Sequence, residues 1–209
     1  MRRRSLLAVV PLLLAGAAAR AQPADPALLA QIETYLNSIH TLKARFLQIA
    51  PDGRATRGTA WLERPGRMRF EYDPPTPLLL VAGNGLLVFH DSQLGQTSNI
   101  PLSQTPLGIL LADHVQLSGP VKVTGMQRQP GMISVTLVRS SSLVDGSLTL
   151  VFADNPLTLR QWTVLDAQRQ ETRVTLYDVQ LGGQFKDTLF DFIDRGFPNG
   201  TPLAPNNGG

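Results

Sequence analysis

Behind Asp25-Pro26 the apolar residues Leu28, Leu29, Ile32, Leu36 and Ile39 recur at helical spacing. That spacing predicts a helix over 26–40, with Asp25 as its cap and Pro26 in its first turn. One face of the helix is apolar and must cover something. From Thr41 the hydrophobic period drops to two, and turn chemistry interrupts it roughly every eight to twelve residues. The candidate strands are LKARFLQI, TRGTAWLER, MRFEY, LLLVA, LLVFHD, LGQTSNI, KVTGMQ, ISVTLV, LTLVFA, LTLRQWTVL and TRVTLYDV, separated by turns such as Pro51-Asp52-Gly53, Pro65-Gly66 and Gly83-Asn84-Gly85. About eleven strands in succession predict an antiparallel up-and-down meander curling toward a barrel. Parallel βαβ units are excluded, because no helices lie between the strands.

The alternation breaks once, at TPLGILLADH. Thr105 can cap, Pro106 can start a turn, and Leu107, Ile109, Leu110 and Leu111 crowd together, so a short, very apolar helix over 105–114 is expected within the meander. After the last strand comes one further turn or strand carrying Phe190 and Phe192. Residues 197–209 form a Pro/Asn/Gly tail expected to be flexible.

Three arginines lie on the hairpin WLERPGRMRFEY. Alternation puts Gly58, Ala60, Leu62 and Arg64 on one side of their strand and Arg57, Thr59, Trp61 and Glu63 on the other; the first set is the more apolar and should face inward. In the next strand Met68, Phe70 and Tyr72 face inward, while Arg67 and Arg69 go to water, where Glu63 or Glu71 can pair with them. Arg64 is therefore the odd one, at the end of an inward row. Periodicity leaves two readings open. It either snorkels to solvent from the strand end, or points into the barrel mouth, where its donors would need acceptors such as the free carbonyls at the end of a covering helix.

The chain ends narrow the function class. Arg2, Arg3 and Arg4, then an apolar run to Ala19 and small residues at Ala19 and Ala21, predict a secretory signal peptide over 1–21. Four of the 19 basic residues lie in it, leaving 15 against 16 acidic in the mature chain, a net of −1. A nucleic-acid partner thereby loses its electrostatic support. There is no cysteine, so no disulfide, thiolate metal site or lipidated N-terminal cysteine is expected. No second long apolar run follows, and the expected product is a soluble, exported monomer with a single domain over 22–196.

Taken in order, LKARFLQ after an N-terminal helix, GTAWLERPGRMRFEY, LLLVAGNGLLVFHD, SQTPLGILLAD and DAQRQETRVTLYDVQLG resemble the LolA family of periplasmic lipoprotein carriers over most of the mature chain. The resemblance implies a mainly β fold with an α lid, an incomplete antiparallel β-barrel of about eleven strands over an apolar cavity. It implies a periplasmic carrier that shields the acyl chains of triacylated lipoproteins. The partners would be the inner-membrane transporter LolCDE and, where present, the outer-membrane acceptor LolB. The arginine of the family's W-x-x-R-P pattern falls on Arg64. In the family it bonds backbone carbonyls of the lid helices, and the matching lid segment here is 107–111. Leu62, Met68, Phe70, Leu107, Leu110 and Leu111 would line the acyl-chain site. Two departures stand out: the Pro/Asn/Gly tail replaces a further C-terminal strand region, and Leu42 and Met68 replace aromatic residues.

An enzyme reading finds little to hold. His40, His90 and His114 sit in separate elements, and neither G-x-S-x-G nor H-E-x-x-H occurs. Trp61 and Trp162 suit barrel packing or an interface girdle better than a cofactor box. No metal site and no cofactor are expected. The alternative to a lipoprotein carrier is a carrier or sensor of the same fold for another amphiphile, such as a glycolipid or polyprenyl lipid.

Overall fold

The computed structural model of the chain describes residues 25–141 and 146–192. The expected signal peptide and the 197–209 tail lie outside the described residues. Helix α1, Pro26–Ser38, starts where Asp25 accepts hydrogen bonds from the amides of Ala27 and Leu28 at 3.0 and 3.5 Å. It buries Leu28, Ile32 and Leu36, and stops two residues short of the expected end, where Ile39 turns to an extended conformation.

Eleven strands follow: β1 Thr41–Ile49, β2 Ala55–Glu63, β3 Arg67–Tyr72, β4 Leu78–Gly83, β5 Leu86–Asp91, β6 Gln96–Pro101, β7 Val121–Gln129, β8 Met132–Arg139, β9 Ser147–Asp154, β10 Leu157–Leu165 and β11 Glu171–Leu181. They form one antiparallel sheet in the order β6-β5-β4-β3-β2-β1-β11-β10-β9-β8-β7. The meander is therefore not a simple run from first strand to last. The first and last strands pair at its centre, where Leu42 lies opposite Leu181 and Ile49 opposite Arg173, and the free edges are β6 and β7, which are consecutive in sequence. The connection between them, 102–120, crosses that gap.

This segment holds the expected apolar helix in a shorter form. A 3₁₀ turn at Leu102–Gln104 precedes the single turn of α2, Leu107–Leu110, and Leu107, Ile109, Leu110 and Leu111 are all buried. Only one turn forms because Pro106 stands at its start and the backbone leaves helical geometry at Leu111, but burial holds it in place.

The alternation of inward residues is as the sequence predicts: Gly58, Ala60 and Leu62 on β2 and Met68 and Phe70 on β3 are buried, joined by Leu42, Ala44 and Phe46 on β1. Gly58 is required by packing. A Cβ there would lie 2.7 Å from the Phe46 ring and would also strike the Glu71 carbonyl. The Phe46 ring fills the space a side chain would take, and packs tilted at 4.6 Å from Phe70 and edge-on at 5.2 Å to Tyr72.

Beyond β11 the chain crosses the outer face of the sheet, and a 3₁₀ turn at Asp187–Phe190 packs on β3 and β4. Arg67 and Arg69 do face outward and pair with Glu63 and Glu71, as expected, but they do not lie open to water. Arg67 also reaches Asp187 at 2.5 Å and lies 5.3 Å over the Phe190 ring, and Arg69 donates to the Leu189 carbonyl at 3.2 Å.

Candidate functional site

The inner face of the sheet is unevenly filled. Ile133, Leu137, Leu148 and Phe152 on β8 and β9 are fully buried, whereas every described residue of β6 except Thr97 is exposed. Between these halves lies a partly open cavity of about 470 Å³. Its apolar lining comes from Met68, Phe70, Leu80, Leu87, Trp162 and Val174, and its mouth carries the polar side chains of Gln48, Gln104, Asp166, Gln168 and Thr172. The 102–120 segment forms one wall through Gln104, Thr105, Pro106 and Leu107. Tyr72, near this mouth, donates to Gln48 at 2.9 Å, and burial raises its phenol to about 12 with the Gln48 bond opposing.

A second, much smaller void of about 10 Å³ lies under α1 among Leu36, Ile39, Leu42, Leu62, Arg64, Leu110, Leu159 and Trp162. Trp162 lines both spaces and is the partition between them. It is 3% exposed.

Arg64 is half-buried beside the small void. Its Nε donates to the Ile39 carbonyl at 2.8 Å and its Nη2 donates to the same oxygen, while Nη1 is buried without a partner in the protein. The acceptor belongs to the residue that ends α1, a helix with no basic residue of its own in its last turn. The guanidinium thus supplies the positive charge that a helix C-terminus favours. Burial lowers its proton affinity and the field of Asp113 opposes that effect. The 107–111 stretch meets the same hairpin by another route, the Gly66 amide donating to the Leu111 carbonyl at 2.8 Å.

The residues singled out from the sequence divide between the two spaces. Met68, Phe70 and Leu107 line the large cavity, Leu62 and Leu110 the small void, and Leu111 is buried next to neither. Leu80, Leu87, Val164 and Val174 join Met68, Phe70 and Leu107 in the lining of the large cavity, and Trp162, expected from the sequence as barrel packing or a girdle, lines both spaces. The paired rows Leu62-Met68-Ala82-Leu87-Ile100 and Ala60-Phe70-Leu80 show why Leu80 and Leu87 belong with Met68 and Phe70. Period-two alternation carried on into β4 and β5 would have found Leu80 and Leu87.

The antiparallel sheet is thus half open over an apolar cavity, with a helix across one end and a half-buried arginine on that helix's terminus. Residues 37–193 match the model of the family described as outer membrane lipoprotein carrier protein LolA. The chain belongs to the LolA family. Among its relatives, an outer-membrane lipoprotein carrier protein of Pseudomonas aeruginosa is 27% identical over 188 residues, covering 86% of this chain and 89% of that one. One of Methylococcus capsulatus is 28% identical over 195 residues, covering 89% and 91%. Among solved structures, a LolA-superfamily protein from Nitrosomonas europaea is similar at a TM-score of 0.42 and 10% identity, covering 78% of this chain and 96% of that one. LolA membership rests on the sequence match. Among the described residues no helix is long and apolar enough to cross a membrane.

Proposed function

We propose that this LolA-family chain is a periplasmic carrier that shields the acyl chains of lipoproteins in the cavity between β3–β6 and β10–β11 and hands them on at the outer membrane. The single observation that carries the reading is the apolar cavity of about 470 Å³, open on one side and walled by a segment that is not part of the sheet. Family membership and the relatives' names as lipoprotein carriers support the choice of cargo. LolCDE as donor and LolB, where present, as acceptor are the partners this reading names.

The volume sets a condition on the mechanism. With roughly 30 Å³ per water-sized group, the cavity as it stands has room for about fifteen methylenes, on the order of one acyl chain. A triacylated cargo therefore requires the wall of 102–110 to move, and the void under α1 to join the cavity once Trp162 turns aside. Each methylene buried contributes about 0.8 kcal/mol, so several chains held without opposition would hardly be released. The opposition is the closed state's own polar bonds. Opening separates Arg64 from the Ile39 carbonyl and leaves a half-buried guanidinium with fewer acceptors, which offsets part of the apolar gain.

Mass spectrometry of the protein purified from its native envelope is the test. Co-purifying lipoprotein is the expected result. Free glycolipid or polyprenyl lipid in its place would make this a carrier of the same fold for another amphiphile, and a ligand-free protein after gentle isolation would sink the carrier reading.

A further inference from the structure

The covering segment is held very unevenly along its length. Its second half is tied to its surroundings by six well-formed bonds, two of them from Ser140, whose amide and hydroxyl donate to the Pro120 and Gly119 carbonyls at 2.9 and 2.6 Å. The Leu111 carbonyl accepts from Gly66 at 2.8 Å, Asn37 makes a two-way pair with the backbone of Val115 at 2.9 Å in each direction, and the Leu117 amide donates to Glu33 at 3.0 Å. The first half starts with one tie, the Leu102 amide on the Gly85 carbonyl at 2.8 Å. Among the described residues, the hydrogen bond that reaches 103–110 from outside the segment is that of Arg139, whose Nη2 donates to the Thr105 carbonyl at 3.4 Å.

Arg139 ends β8, the strand that pairs with the free edge strand β7. Its Nη2 runs directly against α2: a Cβ on Gly108 would lie 2.5 Å from it and 2.5 Å from the Leu102 carbonyl. Gly108 is thus the position where only a missing side chain lets the guanidinium reach Thr105. The Thr105 carbonyl is shared, since it also accepts from the Gly108 amide at 3.1 Å. Arg139 Nε is buried without a partner in the protein, so the guanidinium, like that of Arg64, is incompletely paired in the closed state. A bond of 3.4 Å is long for a charged donor and easily given up.

We infer that Arg139 is a second positioning residue for the lid, the one that holds the cavity-lining stretch 104–107 in place, and that the lid opens from this end while 111–117 acts as the hinge on α1. The inference rests on the carrier reading for its purpose, but not for its geometry. The two arginines then divide the work. Arg64 fixes α1 over the small void, and Arg139 fixes the wall of the large one. Entry of a tail needs only the second to let go at first; the merging of the two spaces for further tails needs both.

Backbone hydrogen exchange read peptide by peptide on the full mature protein tests this. Arg139→Gln should speed exchange across 102–110 several-fold, less than the roughly tenfold of a well-formed charged hydrogen bond, and leave 111–117 unchanged. Gly108→Ala attacks the same contact from the other side and should give the same regional pattern, so the test survives if one variant does not fold. Arg139→Lys, which keeps a donor, should restore part of the protection. Faster exchange spread evenly over 102–117, or confined to 111–117, or absent, would overturn the inference. Uptake of a fluorescent palmitoyl probe is measured in parallel and should be faster in both variants. Failure of the unaltered protein to take up any acyl probe would count against the carrier reading alone, because the exchange pattern decides the latch independently.

Discussion

Arg64 shows at the scale of one residue what sequence periodicity reaches and where it stops. Alternation brought it to the end of an inward row, because Gly58, Ala60 and Leu62 have to face the core. It left the side chain's direction open, since a strand-end arginine has enough methylenes to reach either water or the interior. The deciding feature is the free carbonyl at the end of α1, twenty-five residues away in sequence and adjacent only after folding. Replacing Arg64 with Leu removes the partly unpaired charge and the bond to Ile39 together. The variant should take up lipoprotein as well as the unaltered protein and release it to an acceptor at least tenfold more slowly, given that each charged bond contributes about 1.5 to 3 kcal/mol. A transfer assay with labelled lipoprotein measures this, and equal release rates would remove Arg64 from the latch. Trp162 offers an internal reporter of the same event. The chain has two tryptophans, and Trp61 lies on the outward side under Lys43, so Trp61→Phe leaves one indole at the partition between the two spaces. Its emission should shift as tails enter, and constant emission on saturation would place the tails elsewhere.

Among elements, the strands were the most legible, because each is short, alternating and closed by its own turn residues. The unread parts share one cause: their partners are distant in sequence. On the outward faces of β4 and β5, Val81 and Val88 are buried on the side where the C-terminal turn with Phe190 packs. The run LLLVA, apolar at every position, was the available signal, since an unbroken apolar strand is covered on both sides. The lid helix was overestimated for the opposite reason. Its apolar density was genuine, but it served burial between two sheet edges and not helical periodicity. Gly58 marks the element-scale constraint most open to test. With Phe46 and the Glu71 backbone occupying the site, Gly58→Ala should destabilise the protein by about 1 to 3 kcal/mol through overpacking, although it adds one methyl to a strand that alanine otherwise suits. A urea unfolding curve would show it as a lower midpoint at unchanged slope. An unshifted midpoint would mean that β2 and β3 part easily, which the register through Gly58–Tyr72 does not favour.

Over the whole molecule, stability and binding occupy different parts of one sheet. The seam pairs β1 with β11, elements separated by nearly the entire described chain, and Phe46 and Leu176 face each other across it, both buried. The free edge at β6 has one neighbour only and leaves Ile100 44% exposed at the margin of the cavity. Long-range closure has to be complete before the seam stabilises anything, so the seam carries the cooperative fold while the edge carries little of it. Such an arrangement lets a carrier alter the edge and lid without loosening the rest. Two substitutions separate the roles. Phe46→Ala should cost about 3 to 5 kcal/mol of global stability, the usual loss for an aromatic removed from a packed core. Ile100→Ser, on an exposed position, should change stability by less than about 0.5 kcal/mol and still weaken acyl-probe affinity several-fold, because it replaces apolar lining with a hydroxyl. Chemical unfolding and probe titration on both variants measure the two axes together. Comparable stability losses at the two positions, or probe affinity indifferent to Ile100, would mean that the open edge is only the place where the sheet ends and takes no part in holding cargo.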